Sequence, residues 1–237
     1  MPGKGAGADS TAAATRRDRM LLALTFAAGC VDALSYLGLG RVFTANMTGN
    51  AVLLGLAIGQ TQELQVAHTA AAIVGFVLGV LTGAKVVGPV RERVVWSHHV
   101  TLALRLECAV LFVFAIGWWL IGPGLHGVGL ISLILWSGLA MGIQSAIARR
   151  LAVPGVATTY VTGTITALVA ELTSVSGAAG DRRRMSAVIG AMIAGAVAGG
   201  IAQTYVRPAA AFVPAVVVAA VLVALRGIRR ARRAEQR

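Results

Sequence analysis

Asp32 is the carboxylate nearest the middle of a clean apolar run in this chain. Burying a charged side chain at the centre of a bilayer costs at least about 2.5–3.5 kcal/mol, so an acid placed there needs a reason. It can carry a proton, ligate an ion, pair with a basic side chain, or donate a plain helix-to-helix hydrogen bond as the protonated acid. Shortly after it comes Thr44-Ala45-Asn46-Met47-Thr48-Gly49-Asn50, which leads into a short apolar segment ending near Gly59. Asn and Thr are helix N-cap residues, and a helix start presents free N–H groups with partial positive charge. A half-helix beginning at Asn46, Thr48, Gly49 and Asn50 therefore offers a place for an anionic or polar solute group. The same side chains would equally serve to cap the break and bond neighbouring helices.

A second polar stretch, Thr158 to Thr164, repeats the theme with Tyr160, Thr162 and Gly163, and Gln144 precedes it. These four rank behind the first group as candidates for binding or coupling. Glu107 lies two residues from Arg105, and Glu171 nears the end of an apolar run, so both read as structural. Cys30 and Cys108 sit inside apolar runs and read as small buried hydrophobes. No disulfide or metal spacing is present, and His68, His98, His99 and His126 are scattered, so neither a metal nor a cofactor is expected. With no Ser/His or paired-acid arrangement at the depth of Asp32, an enzyme is not expected either.

The elements that position these residues must be membrane spans. Hydrophobic residues make up 57% of the 237 positions and charged residues 13%, against roughly 25% charged in a soluble domain. Mean hydropathy is +0.79. Spanning a bilayer core takes about 20 apolar residues as helix, and six runs qualify: 20–39, 67–87, 100–122, 125–148, 185–206 and 209–226. The runs 42–59 and 153–174 are long enough to cross but open on the polar, Gly-containing stretches. Backbone of that kind survives at membrane depth only when buried in protein or lining a cavity. Both are read as broken or re-entrant elements.

Charge favours this arrangement. If neither element crosses, one side of the membrane collects Lys4, Arg16, Arg17, Arg19, Lys85, Arg91, Arg93, Arg149, Arg150, Arg182–Arg184 and the arginines from Arg226 to Arg237, leaving Arg41 and Arg207 opposite. Full crossing by both would spread the same residues far more evenly. Basic excess marks the cytoplasmic side, which places both termini there. The basic clusters lie between apolar runs and on no single face, so the net charge of +12 does not signal nucleic acid. Residues 1–19 read as a disordered cytoplasmic tail, 20–226 as one membrane domain, and 227–237 as a basic cytoplasmic tail.

The chain also resembles itself. Thr48-Gly49 aligns with Thr162-Gly163, Gly29 with Gly142, Asp32 with Ser145, and Gly79 and Gly83 with Gly195 and Gly199. The halves, about 20–122 and 125–226, would each hold three crossings. An odd number makes the second half inverted, a recurrent design of secondary transporters. Gly75, Gly79 and Gly83 recur at the four-residue spacing that lets helices approach closely.

The run Ala28-Gly29-Cys30-Val31-Asp32-Ala33-Leu34-Ser35-Tyr36, followed by Val42-Phe43-Thr44-Ala45-Asn46-Met47-Thr48-Gly49-Asn50, resembles the YoaK family of bacterial membrane proteins, a domain of unknown function, over about Met20 to Arg226. The resemblance implies a membrane protein in a bacterial setting and marks Asp32, Asn46, Thr48, Gly49 and Asn50 as motif positions, without naming a substrate. The expectation is thus an all-α integral membrane protein: six transmembrane helices, two broken or re-entrant elements and a 3+3 inverted repeat. It would sit multi-pass in the bacterial inner membrane and act as a small-solute permease or secondary transporter, with Asp32 as the candidate for proton coupling. The alternative is a non-transporting scaffold or accessory subunit. The expected partners are the lipid bilayer and an unidentified small solute.

Overall fold

The computed structural model describes residues 4–88, 97–121, 126–151, 161–173 and 179–235. All regular structure among them is helical: α1 (Lys4–Gly38), α2 (Met47–Gly59), α3 (Glu63–Val87), α4 (His98–Ile121), α5 (Gly127–Leu151), α6 (Val161–Thr173), α7 (Ala179–Tyr205), a single 3-10 turn (Arg207–Ala209) and α8 (Phe212–Glu235). Six of these are long and apolar enough to cross a bilayer: Thr15–Gly38, Glu63–Val87, His98–Ile121, Gly127–Leu151, Arg182–Tyr205 and Arg207–Gly227. Helix α2 has 13 residues, about 20 Å at 1.5 Å per residue. That falls short of the roughly 30 Å hydrocarbon core.

Small residues set how the helices run past one another. A methyl group added at Gly79 or Gly83 of α3 would strike Leu139 and Ile143 of α5. One added at Gly195 or Gly199 of α7 would strike Phe26 and Cys30 of α1. In both pairs the register advances in the same direction, so α3 is parallel to α5 and α7 is parallel to α1. Between α1 and α5 the register reverses, since Leu24 meets Gln144 while Ser35 meets Ser137. These two helices are therefore antiparallel. It follows that α3 starts at the end of the bundle where α1 stops, and α7 starts where α5 stops. Neither α2 nor α6 can cross.

The same directions sort the charges. Arg41 and Arg207 stand at one end of the bundle. At the other stand Arg16, Arg17, Arg19, Lys85, Arg149, Arg150, Arg182–Arg184 and Arg226. Arg91 and Arg93 lie outside the described residues. The apolar core continues between the ends in two main clusters. One includes Leu24, Leu104, Leu111, Met141 and Ile147; the other includes Leu39, Phe114, Trp118 and Ile134. Large apolar side chains such as Leu78, Leu81, Ile193 and Val197 remain about half exposed, as a lipid-facing surface requires.

At the N-terminus helix α1 begins at Lys4, ahead of the span itself. Alanine is the strongest helix former, and Ala12–Ala14 lead directly into the span. Likewise α8 runs through the basic segment to Glu235, where Arg and Ala again favour helix.

Candidate solute site around Asp32

Past the end of α1 the chain reverses through Gly40 and Arg41, both at positive φ (76° and 60°). Glycine enters that conformation without the penalty a Cβ imposes, and the space at Gly40 is already filled by the His68 ring. The chain then turns back toward the bundle. The N–H groups of Thr44 and Ala45 donate to Asp32 Oδ1 at 2.8 and 2.7 Å. Asp32 lies six residues before the end of α1, about 9 Å below it along the axis. The acid thus satisfies backbone donors in a segment with no helix or strand of its own, which buried backbone needs.

The break is held at two further points. Asn46 caps α2, its side-chain oxygen accepting the Gly49 N–H at 3.2 Å. Asn50 is fully buried; its Oδ1 accepts the Phe43 N–H at 3.0 Å while its Nδ2 donates to the Phe43 carbonyl at 2.5 Å. Gly49 packs so closely on Asn46 Nδ2 and the Phe43 ring that a Cβ there would sit 3.0 Å from each. The Tyr36 and Phe43 rings stack at 5.1 Å with 19° between their planes.

Beside this break lies a cavity of about 780 Å³ walled by α1, α2 and α7. Asp32, Asn46, Thr48 and Gly49 all line it, with Tyr36 and Phe43 beside them and Met192, Ala196 and Gly200 opposite. Gly29 lies under Met192 and Ala196, which brings α7 close enough to form that wall. Four of the five residues singled out from the first half therefore share one space. Asn50 is the exception, since it is turned inward to clamp Phe43.

The second-half candidates do not join them. Gln144 is fully buried on α5 and donates from Nε2 to the Leu24 carbonyl at 2.9 Å, with its oxygen unpartnered among the described residues. Gly163 lies on α6, and a Cβ there would meet nothing within 4 Å. Helix α6 packs on α7 and joins helices at the basic end of the bundle, opposite to α2. Tyr160 lies outside the described residues, and for Thr162 only the helical backbone is described.

One feature escaped the sequence. Ser35, Thr44 and Ser137 form a buried hydroxyl triangle with sides of 3.0, 2.9 and 3.4 Å, tying α1, the returning segment and α5 together. Ser35 follows Asp32 by three positions on the same face of α1, which was a usable signal; Ser137 gave none. Glu107 is fully buried on α4 and neither carboxylate oxygen has a partner among the described residues.

Together these features define a multi-pass helical membrane protein with a short helix leading out of a polar, acid-anchored break. The chain matches the family described as "Protein of unknown function (DUF1275)" over residues 20–225, and it belongs to that family. It is 41% identical over 161 residues to the UPF0700 transmembrane protein YoaK of Bacillus subtilis (strain 168), covering 68% of this chain and 69% of that protein. No solved structure matches it.

Proposed function

We propose that this protein is a small-solute permease or secondary transporter of the bacterial inner membrane, not an enzyme, and that its solute passes through the cavity at Asp32. The observation that carries this reading is the cavity itself. A membrane acid, the N-cap of a half-helix and the exposed Thr48 face one space of about 780 Å³, within the range of roughly 300–1,000 Å³ typical of small-ligand sites. The Thr44 and Ala45 N–H groups both bond Asp32 Oδ1, and the acid lines the cavity, where it can meet a proton, a cation or a solute donor.

A 3+3 inverted repeat fits the packing. Exchanging α1 with α5 and α3 with α7 turns the α3–α5 contact into the α7–α1 contact, and the corresponding residues touch: Gly79 on Leu139 matches Gly195 on Phe26, and Gly83 on Ile143 matches Gly199 on Cys30. Because α1 and α5 are antiparallel, the halves are mutually inverted, as in alternating-access transporters. The excess of Lys and Arg at the basic end supports a cytoplasmic position for it and for both termini.

The second reading is a non-transporting scaffold. Its support is that Asp32 and Asn50 are already occupied in holding the break. Cavity hydration separates the two. In a Cys30→Ala/Cys108→Ala background, Ala33→Cys and Thr48→Cys should react with a small, charged, membrane-impermeant thiol reagent if the cavity opens to water. Absence of labelling at both positions in folded protein would reject the permease and leave the scaffold. Growth profiling of a deletion strain followed by uptake assays would then name the solute.

A further inference from the structure

A second cavity, of about 410 Å³, lies between α1 and α8 at the basic end of the bundle. Its walls are apolar: Met20 and Ala23 from α1, and Val217, Ala220, Val221 and Ala224 from α8. Alanines at positions 23, 220 and 224 leave a furrow where larger side chains would close the seam between the helices. At its mouth stand Arg16 and Arg19, both exposed.

The arginines at the start of the span are not equivalent. Asp18 engages Arg17 at 3.3 Å and Arg184 at 4.0 Å. Arg16 and Arg19 have no acidic partner among the described residues. Among the described residues, the local acid is thus spent on the two arginines that do not line the furrow. An apolar furrow at acyl-chain depth beneath two exposed guanidinium groups matches an amphiphile with an anionic head. Guanidinium groups bind phosphate oxygens in a bidentate fashion, and basic pockets between transmembrane helices at the cytoplasmic side take anionic lipid headgroups.

We infer that the α1–α8 furrow is a binding site for an anionic phospholipid, with one acyl chain against Ala23, Ala220 and Ala224 and the phosphate between Arg16 and Arg19. The site is separate from the Asp32 cavity, which involves α8 in no way, and holds whether or not the protein transports.

The test uses the full chain reconstituted in phosphatidylcholine vesicles with spin-labelled phosphatidylglycerol or phosphatidylcholine as probe. The motionally restricted fraction reports bound lipid. The wild-type protein should select phosphatidylglycerol, and Arg16→Gln/Arg19→Gln should lose at least roughly five-fold of that selectivity, the factor that about one arginine's attraction to an anionic head represents. Lys85→Gln/Arg183→Gln removes two exposed charges from the same end away from the furrow and should retain the selectivity. Ala220→Leu/Ala224→Leu fills the furrow and should lower binding with the arginines intact; if that variant fails to fold, the arginine pair still decides. Equal binding of the two lipids by the wild type, or an equal loss in the Lys85/Arg183 variant, overturns the site. Displacement of the lipid by millimolar inorganic phosphate would also overturn it, as a free-anion site.

Discussion

Asn50 and Phe43 are joined twice, side-chain oxygen to backbone N–H at 3.0 Å and side-chain nitrogen to backbone carbonyl at 2.5 Å. One buried amide thereby completes both polar groups of a residue that belongs to no helix. Stranding a buried donor or acceptor costs about 1–3 kcal/mol. Asn50→Leu should therefore lower stability by roughly 2–6 kcal/mol, with two backbone groups orphaned. Asn50→Asp keeps the acceptor and loses the donor, so it should fall between. Thermal unfolding in detergent, read by loss of monodisperse protein, orders the three; an Asn50→Leu protein as stable as wild type would contradict the clamp.

Asp32 separates structure from function by choice of substituent. Asp32→Asn retains an oxygen for the Thr44 and Ala45 N–H groups and removes the ionisable proton. It should express and melt near wild type, yet abolish gradient-driven uptake. Asp32→Ala leaves both donors empty and should cost roughly 2–6 kcal/mol. Full uptake by Asp32→Asn would remove the acid from the transport reading.

The glycine pairs offer a test of equivalence between the halves. Gly79→Ala and Gly195→Ala each push a methyl into a neighbouring backbone carbonyl, and overpacking of this kind costs about 1–3 kcal/mol. The two losses should be similar. Gly55 and Gly190 have nothing within 4 Å of an added Cβ, so Gly55→Ala and Gly190→Ala should be neutral or gain about 0.5–1 kcal/mol from helix propensity. Similar melting shifts in all four would argue against close helix crossing at residues 79 and 195.

Topology follows from packing direction. Single cysteines at Arg150 and Arg183 should be protected from an impermeant reagent added outside intact cells, and those at Arg41 and Arg207 should be labelled. A reporter after Arg93 should read cytoplasmic. External labelling at Arg150 would require α2 to cross, and labelling at Arg183 with Arg150 protected would require α6 to cross.

The spans were legible because apolar length is written locally, and the six crossings because charge lies so unevenly around them. Gly79, Gly83, Gly195 and Gly199 also stood out by spacing, and each proved to seat a partner backbone. Asp32 was legible as a costly residue, but its bonds to Thr44 and Ala45 were not. Those donors are backbone groups twelve and thirteen positions away, and main-chain partners leave no mark in residue identity. Asn50 looked like a site residue for the same reason that makes it a clamp: a short amide serves solute and backbone alike. Ser137 was invisible because one hydroxyl in an apolar helix carries no periodic signal, and its partners come from elements remote in the chain.

The crossed pairing of α1 with α7 and α3 with α5 also sets an order of events during synthesis. When α1 enters the membrane, the surface around Gly29 that will receive Met192 and Ala196 has no protein to meet, because α7 emerges only after three further spans and two short helices have been made. Until then that groove must be filled by lipid or by an insertion factor. Neither half can finish its own interior. A ribosome that stalls after α4 leaves a membrane intermediate whose closest-packing surfaces are bare, which makes such fragments natural substrates for membrane quality control.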